Sequence, residues 1–310
     1  MGDPFDLAKR FIHSHARLLE RLLFSIRFEE GEPASVGRLI AAYQNPDGGL
    51  GHALEPDVRC AESQPLFVEV GLSALHDAGV RDREISLSIC AFLDGISDAE
   101  GLVPVLLPSA FRSTRAPHWQ AAAPPGLNPT AGICGLLHYQ GVEHPWLARA
   151  TRSCCELLFQ YPPREAHALL CAAHLVEHLP DEEMAALVSE RIALALPKAS
   201  FFVPQAPVWT YGLTPLHFAP TPGSRWRQLF TDDQIQGHLD HLTALQKEDG
   251  GWPITWDAPG PAATSEWRGR WTLDAVSTLV AYGRIRETKP NADQGPDAPD
   301  MGAGGRSQTT

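Results

Sequence analysis

The chain has 310 residues, 44% of them hydrophobic and 20% charged, with a formal net charge of −12 at neutral pH. That length is enough for one large core or two small ones. The acidity disfavours nucleic acid or an anionic membrane as partner, since either needs a basic face, and no apolar run is long enough to span a bilayer.

In chain order, Asp3-Pro4 opens a helix on which Phe11, His15, Leu18, Leu22 and Ile26 recur at three- and four-residue steps. Further helices are predicted over 34–44, from Pro65 to Gly79, over 82–93, from Asn128 to Gln140, from Pro145 to Tyr161, over 163–178 and over 181–196. Thr231 with Gln234 three residues on is a capping box and opens a helix to Lys247. A last helix is placed over 270–286. No strand pattern competes, so the class is all-α. Residues 1–286 are expected to form one domain. Residues 287–310, rich in Pro and Gly with one large apolar side chain (Met301), are expected to be a disordered tail.

Six cysteines (60, 90, 134, 154, 155 and 171) form no CxxC pair and sit in apolar helical context, so they read as buried reduced thiols with no structural metal. The start, MGDPFDLAKRF, lacks signal-peptide features. Together these readings place the protein in the cytoplasm and call for no cofactor.

One pattern repeats. QNPDGGLG at 44–51 recurs as QKEDGGWP at 246–253, with a weaker copy at DAEGLVPVLLP, 98–108. The unit is helix, Gly-rich turn, polar loop, helix. Gly takes a positive φ cheaply, so it ends one helix and starts the turn, while the Gln side chain is expected to bond freed backbone of the neighbouring unit. Stacked helix pairs bury a continuous core, and copies near both ends suit a ring.

LTALQKEDGGW, residues 242–252, resembles the QW motif of squalene–hopene cyclases and related terpenoid cyclases, and the β subunits of protein prenyltransferases carry a similar pattern. The resemblance spans roughly 30–285 and rests on the two Gly-Gly turns. It implies a single-domain α/α toroid, with inner and outer helices alternating around a central cavity. The chain also resembles bacterial proteins labelled prenyltransferase-like through GHALEPDVR, LNPTAGI, TYGLTP and EWRG, which brings no activity with it. The chain departs from these families in chemistry. It has neither the DxDD of class II cyclases nor the DDxxD of class I synthases. Asp57 and Cys60 stand three apart, against two in the zinc site of protein prenyltransferases, and the last helix has no His. Zinc-dependent prenylation is therefore rejected.

In a toroid, the loops after the turns gather at one mouth. The candidate catalytic carboxyls there are Asp57, Glu55 and Glu266. Candidate substrate-binding residues are His52, Arg59, His118, Trp119, Trp209, Tyr211, Trp256, Trp267 and Arg268. A buried carboxylic acid kept neutral can protonate an alkene, and aromatic faces can hold the resulting cation. Arg59 or Arg268 could grip an anionic head group. Each residue has a plainer reading: loop solvation or a salt bridge to Arg59 for Glu55 and Asp57, an ion pair for Glu266, core packing for Trp252. His15, His138, His167 and His174 read as structural or surface. The first expectation is a metal-independent, acid-initiated cyclase or isomerase of an isoprenoid-like substrate, with a hydrophobic small molecule as its partner. The alternatives are a carbohydrate-active hydrolase or lyase, since carboxylates with Trp platforms suit sugars, and a non-catalytic binding toroid.

Overall fold

The computed structural model describes residues 2–208 and 210–288, so the expected tail beyond Thr288 lies outside the described residues. Among these residues there are twelve α-helices and isolated β-bridges, with no β-strand. They are α1 (Pro4–His15), α2 (Leu18–Phe28), α3 (Ala34–Ala41), α4 (Pro65–Asp77), α5 (Arg83–Ile96) and α6 (Leu127–Gln140). Then follow α7 (Pro145–Gln160), α8 (Ala166–His178), α9 (Glu182–Ala195), α10 (Pro215–Phe218), α11 (Asp232–Ala244) and α12 (Pro261–Ala281). No helix is long and apolar enough to cross a membrane.

Two boundaries differ from the sequence reading. The first periodic run is two helices, because Ala16 is extended (ψ 159°) between α1 and α2. The last helix starts nine residues earlier than expected. Gly260 (φ 133°) ends the preceding loop and Pro261 takes the first helical turn, where its missing N–H costs nothing. Glu266, Trp267 and Arg268 therefore stand on a helix rather than in a loop.

The even-numbered helices touch in sequence: α2 on α4, α4 on α6, α6 on α8 and α8 on α10. The short α10 leads to α11, α11 to α12, and α12 packs on both α1 and α2. The odd helices lie against them: α3 on α2 and α4, α7 on α5, α6 and α9, and α9 on α8. All six cysteines are free and buried.

The repeated turn is a repeat of bonds. Asn45 N–H donates to the Gly49 carbonyl at 2.9 Å and Lys247 N–H to the Gly251 carbonyl at 2.9 Å. Asp47 accepts from Gly49 N–H and Asp249 from Gly251 N–H, both at 3.0 Å. Gln44 and Gln246 both donate to the carbonyl of the first Gly, at 3.0 Å. The Gln contact is thus within the turn itself; Gln246 alone of the pair also reaches a neighbouring unit, donating to the Pro4 carbonyl at 2.8 Å. The weak middle copy has the same backbone bonds, Asp98 N–H donating to the Leu102 carbonyl at 3.0 Å, but its capping carboxylate, at 2.7 Å from Leu102 N, comes from the first turn residue, Asp98, instead of the third.

Each turn seats its left-handed glycine against an odd-numbered helix. Gly48 (φ 85°) faces Ser88 of α5, Gly101 (φ 87°) faces Ala150 of α7, and Gly250 (φ 90°) faces the Leu7 carbonyl of α1. At Gly48 and Gly250 the backbones meet with no space for a side chain, and at Gly101 the fit is tight. Gly250→Ala should cost on the order of 3 kcal/mol, from left-handed strain plus collision with Leu7. Gly283→Ala, left-handed but with open space around it, should cost about 1 kcal/mol. Urea denaturation midpoints of the two variants check the difference.

Candidate functional site

The segment after the first turn folds back on itself. His52 N–H donates to the Ala61 carbonyl at 3.1 Å and Ala53 N–H to the Cys60 carbonyl at 2.8 Å. His52 (φ 58°) and Ala53 (φ 55°) take left-handed conformations to enter this tip. Residues 54–58 are buried. The 113–119 segment clamps one side: Arg59 N–H donates to the Thr114 carbonyl and Ala116 N–H to the Asp57 carbonyl, each at 2.8 Å. From α2, Arg17 donates to the Leu54 carbonyl at 2.7 Å while pairing with the fully buried Glu20 at 2.5 Å.

Two carboxyls end up inside. Glu55 Oε2 accepts from the Asp57 N–H at 2.8 Å. Burial first, and the Asp57 charge second, push the Glu55 carboxyl well above its ordinary range. Asp57 Oδ2 accepts from the Trp256 indole N–H at 3.0 Å, with His118 Nε2 at 3.6 Å. Burial raises the Asp57 carboxyl to about 6, and the indole N–H groups of Trp267 and Trp256 partly oppose the rise. Trp267 lies beside this carboxyl without meeting hydrogen-bond geometry. Its N–H and Asp57 Oδ1 are both left buried and unpaired. Since Trp256 occupies Oδ2, the proton of the neutral acid belongs on Oδ1, the unpartnered oxygen.

Aromatic rings extend from this acid. Trp267 and Trp256 meet edge to face at 5.1 Å, and Trp256 meets Tyr211 the same way at 5.7 Å. Tyr211 leads to a polar relay that sequence reasoning missed. Its hydroxyl lies 2.7 Å from His167 Nε2, and His167 Nδ1 pairs with Glu165. Glu165 is the N-cap of α8, accepting from the His167 and Ala168 N–H groups. Burial, then the carboxyls of Glu165, Asp57 and Glu55, raise the Tyr211 phenol to about 12, so it stays protonated as a donor. Nearby, burial raises the Glu69 carboxyl to about 7, and Cys171 donates to it at 3.4 Å. Cys171 Sγ also lies 3.8 Å from Asn128 Oδ1.

The other sequence candidates divide. The His118 and Trp119 rings lie 5.1 Å apart at a tilt of 51° beside the acid, and the Trp119 indole N–H is buried without a partner. Burial lowers the His118 imidazole, keeping it neutral. Arg59 and Glu266 are spent on each other, with hydrogen bonds of 2.6 and 3.3 Å. Arg268 is not at the acid. It pairs with Asp249 of the last turn at 2.8 Å and lies 4.6 Å over the Phe11 ring. His52 is exposed. Trp209 lies outside the described residues. Trp252 is core, donating from its indole to the Leu242 carbonyl at 2.7 Å. With both arginines committed to carboxylates, no free cation remains among the described candidates to grip an anionic head group.

Among the described residues, no group of His, Cys, Asp and Glu side chains is placed to hold a metal. Comparison with family models, with curated proteins and with solved structures gave no match.

The raised carboxyl of Asp57 favours the folded state while it is protonated. Its stabilising contribution is complete below about pH 4 and is lost as pH rises through about 6. Asp57→Asn, which stays neutral, should flatten the fall in melting temperature between pH 4 and 8 and raise it at pH 8 by roughly 3 °C or more. Thermal melts followed by circular dichroism over that range check both.

Proposed function

We propose that this chain is a closed α/α toroid carrying an acid-initiated, metal-independent active site at one mouth, in the manner of a terpenoid cyclase or isomerase. The packing of α12 on α1 and α2, and the seat of the last turn on Leu7, support the ring. The observation that carries the chemistry is Asp57. Its carboxyl is 3% exposed, is raised to about 6, holds an unpaired buried oxygen and stands beside two tryptophans. A neutral acid in such a place can give its proton to an olefin or epoxide, and the faces of Trp256, Trp267 and Tyr211 stabilise the cation that forms. Burial also disfavours a charge on Glu55 that would trap that cation. The absence of an unpaired arginine among the described candidates points to an uncharged substrate rather than a diphosphate.

A polar substrate is the second reading, favoured by the side chains deeper along the even-numbered helices. Asp77, Arg270 and Asp274 meet there, each roughly a third exposed, and His76 faces His178 at 5.1 Å. A partly exposed cluster of carboxyls and imidazoles suits carbohydrate chemistry better than a long isoprenoid.

The test is incubation with linear isoprenoid alkenes and epoxides in D2O, with products read by gas chromatography and mass spectrometry. The cyclase reading expects a product carrying one solvent deuterium. It also expects loss of rate as pH rises above about 6, and a drop of roughly a thousandfold in Asp57→Asn. Full activity in that variant would sink the acid assignment. Asp57-dependent release of reducing sugar from glycans would replace it with the carbohydrate reading.

A further inference from the structure

Large apolar side chains on the surface are not scattered. Of those that are exposed, Phe159 (47%), Tyr161 (73%), Leu187 (40%) and Leu194 (67%) belong to the end of α7 and to α9. Between these two elements runs a groove of about 460 Å³, lined by Pro162, Pro163, Arg164, Arg191, Leu194 and Lys198. Leu187, Arg191, Leu194 and Lys198 fall at steps of four, three and four along α9 and its continuation, so they form one stripe facing outward. Arg191 lies 4.5 Å over the Phe159 ring and joins α9 to α7. Arg164, Arg191 and Lys198 make no salt bridge among the described residues. In a chain of net charge −12, that is three unpaired cations in one apolar groove, with no acid on its lining.

The groove also adjoins the mouth of the candidate site. Ser200 donates twice to the Arg164 carbonyl, from its N–H at 2.8 Å and from its hydroxyl at 3.0 Å. The next residue, Phe201, is 54% exposed and lies 6.4 Å from Tyr211.

We infer that the α7–α9 groove docks an acidic amphipathic helix of a partner protein, with Leu194 and Tyr161 taking its apolar face and Arg164, Arg191 and Lys198 its carboxylates. Exposed apolar patches of this kind, rimmed by charge, mark docking sites. Within the groove Leu194 is flanked by Arg164, Arg191 and Lys198, an apolar contact ringed by positive charge that complements a helix with an apolar face and acidic edges. A bilayer surface would instead be met by a protruding face. The docked partner stands beside Phe201 and Tyr211, at the entrance to the site.

The test uses a fluorescein-labelled model helix of roughly 18 residues, Leu on one face and Glu on the other, and follows its anisotropy with the full chain. The expected result is saturable binding, weakened at least tenfold by Leu194→Asp and by Arg164→Glu with Lys198→Glu. Binding should also weaken between about 50 and about 300 mM NaCl, since exposed charges are screened. These side chains are exposed, so the variants should melt like the parent, and a melt checks that. No saturable binding, binding unchanged in both variants, or equal binding of the Lys-faced counterpart overturns the inference. Two other occupants would also overturn it. One is a bilayer, shown if the chain sediments with phosphatidylglycerol vesicles and ignores the peptide. The other is the chain's own C-terminal segment, shown if truncation after Thr288 is required before the peptide binds.

Discussion

The contact on which the rest depends is the seat of the last Gly-Gly turn on the backbone of α1. Gly250 lies against the Leu7 carbonyl, and Gln246 donates to the Pro4 carbonyl at 2.8 Å. Those backbone contacts bring α12 beside α1 and α2. Only then can Arg59 meet Glu266 and Trp256 meet Asp57 across a sequence separation of about 200 residues. Arg268 reinforces the same joint from inside, bridging Asp249 of the turn and the ring of Phe11. A residue that looked like a substrate clamp is part of the fastening that assembles the site.

At the site two arginines are each committed to a carboxylate, and burial raises the acids closest to the loop tip that have none. Arg17 neutralises Glu20, and Arg59 neutralises Glu266. Glu55, Asp57 and Glu69 have no such cation, and burial raises all three. A carboxyl that cannot find a partner in low dielectric gives up its charge rather than its burial. The same desolvation that raises Asp57 to about 6 leaves Oδ1 as the oxygen open to a proton below that pH. Across the aromatic line, Tyr211 is held as a donor toward His167, with Glu165 fixing the imidazole. Proton-bearing groups thus stand at both ends of a row of rings.

The Gly-rich turns were legible in the sequence because their chemistry is local. A helix end, a left-handed Gly and an Asp two residues before the second Gly define a bond set within five residues; the weak copy at 98–102 keeps the backbone bonds and the left-handed Gly but takes its carboxylate from Asp98, at the start of the turn. The loop 52–59 stood out as a candidate because no repeat partner explained its polarity, but its folded-back tip at His52 and Ala53 was not legible. The Glu165–His167–Tyr211 relay was not, since the Glu is spaced as an ordinary N-cap and Tyr211 is 44 residues away. The start of α12 was missed for a related reason. Trp256 to Arg268 reads as an irregular aromatic loop until Pro261 is recognised as a first-turn residue. Glu69 gave no signal at all, because a carboxylate on a helix face is normally solvated and only the neighbouring helices decide otherwise.

A joint made between remote parts of one chain also sets an order of events. Contacts spanning about 200 residues carry a large loop-closure cost, so they form after the local helix pairs have condensed. The acid at Asp57 and the indole that orients it come from opposite sides of that joint. The hydrogen bond between them therefore belongs to the last contacts to form, and it is lost wherever that joint opens, even with the helices around α6 intact.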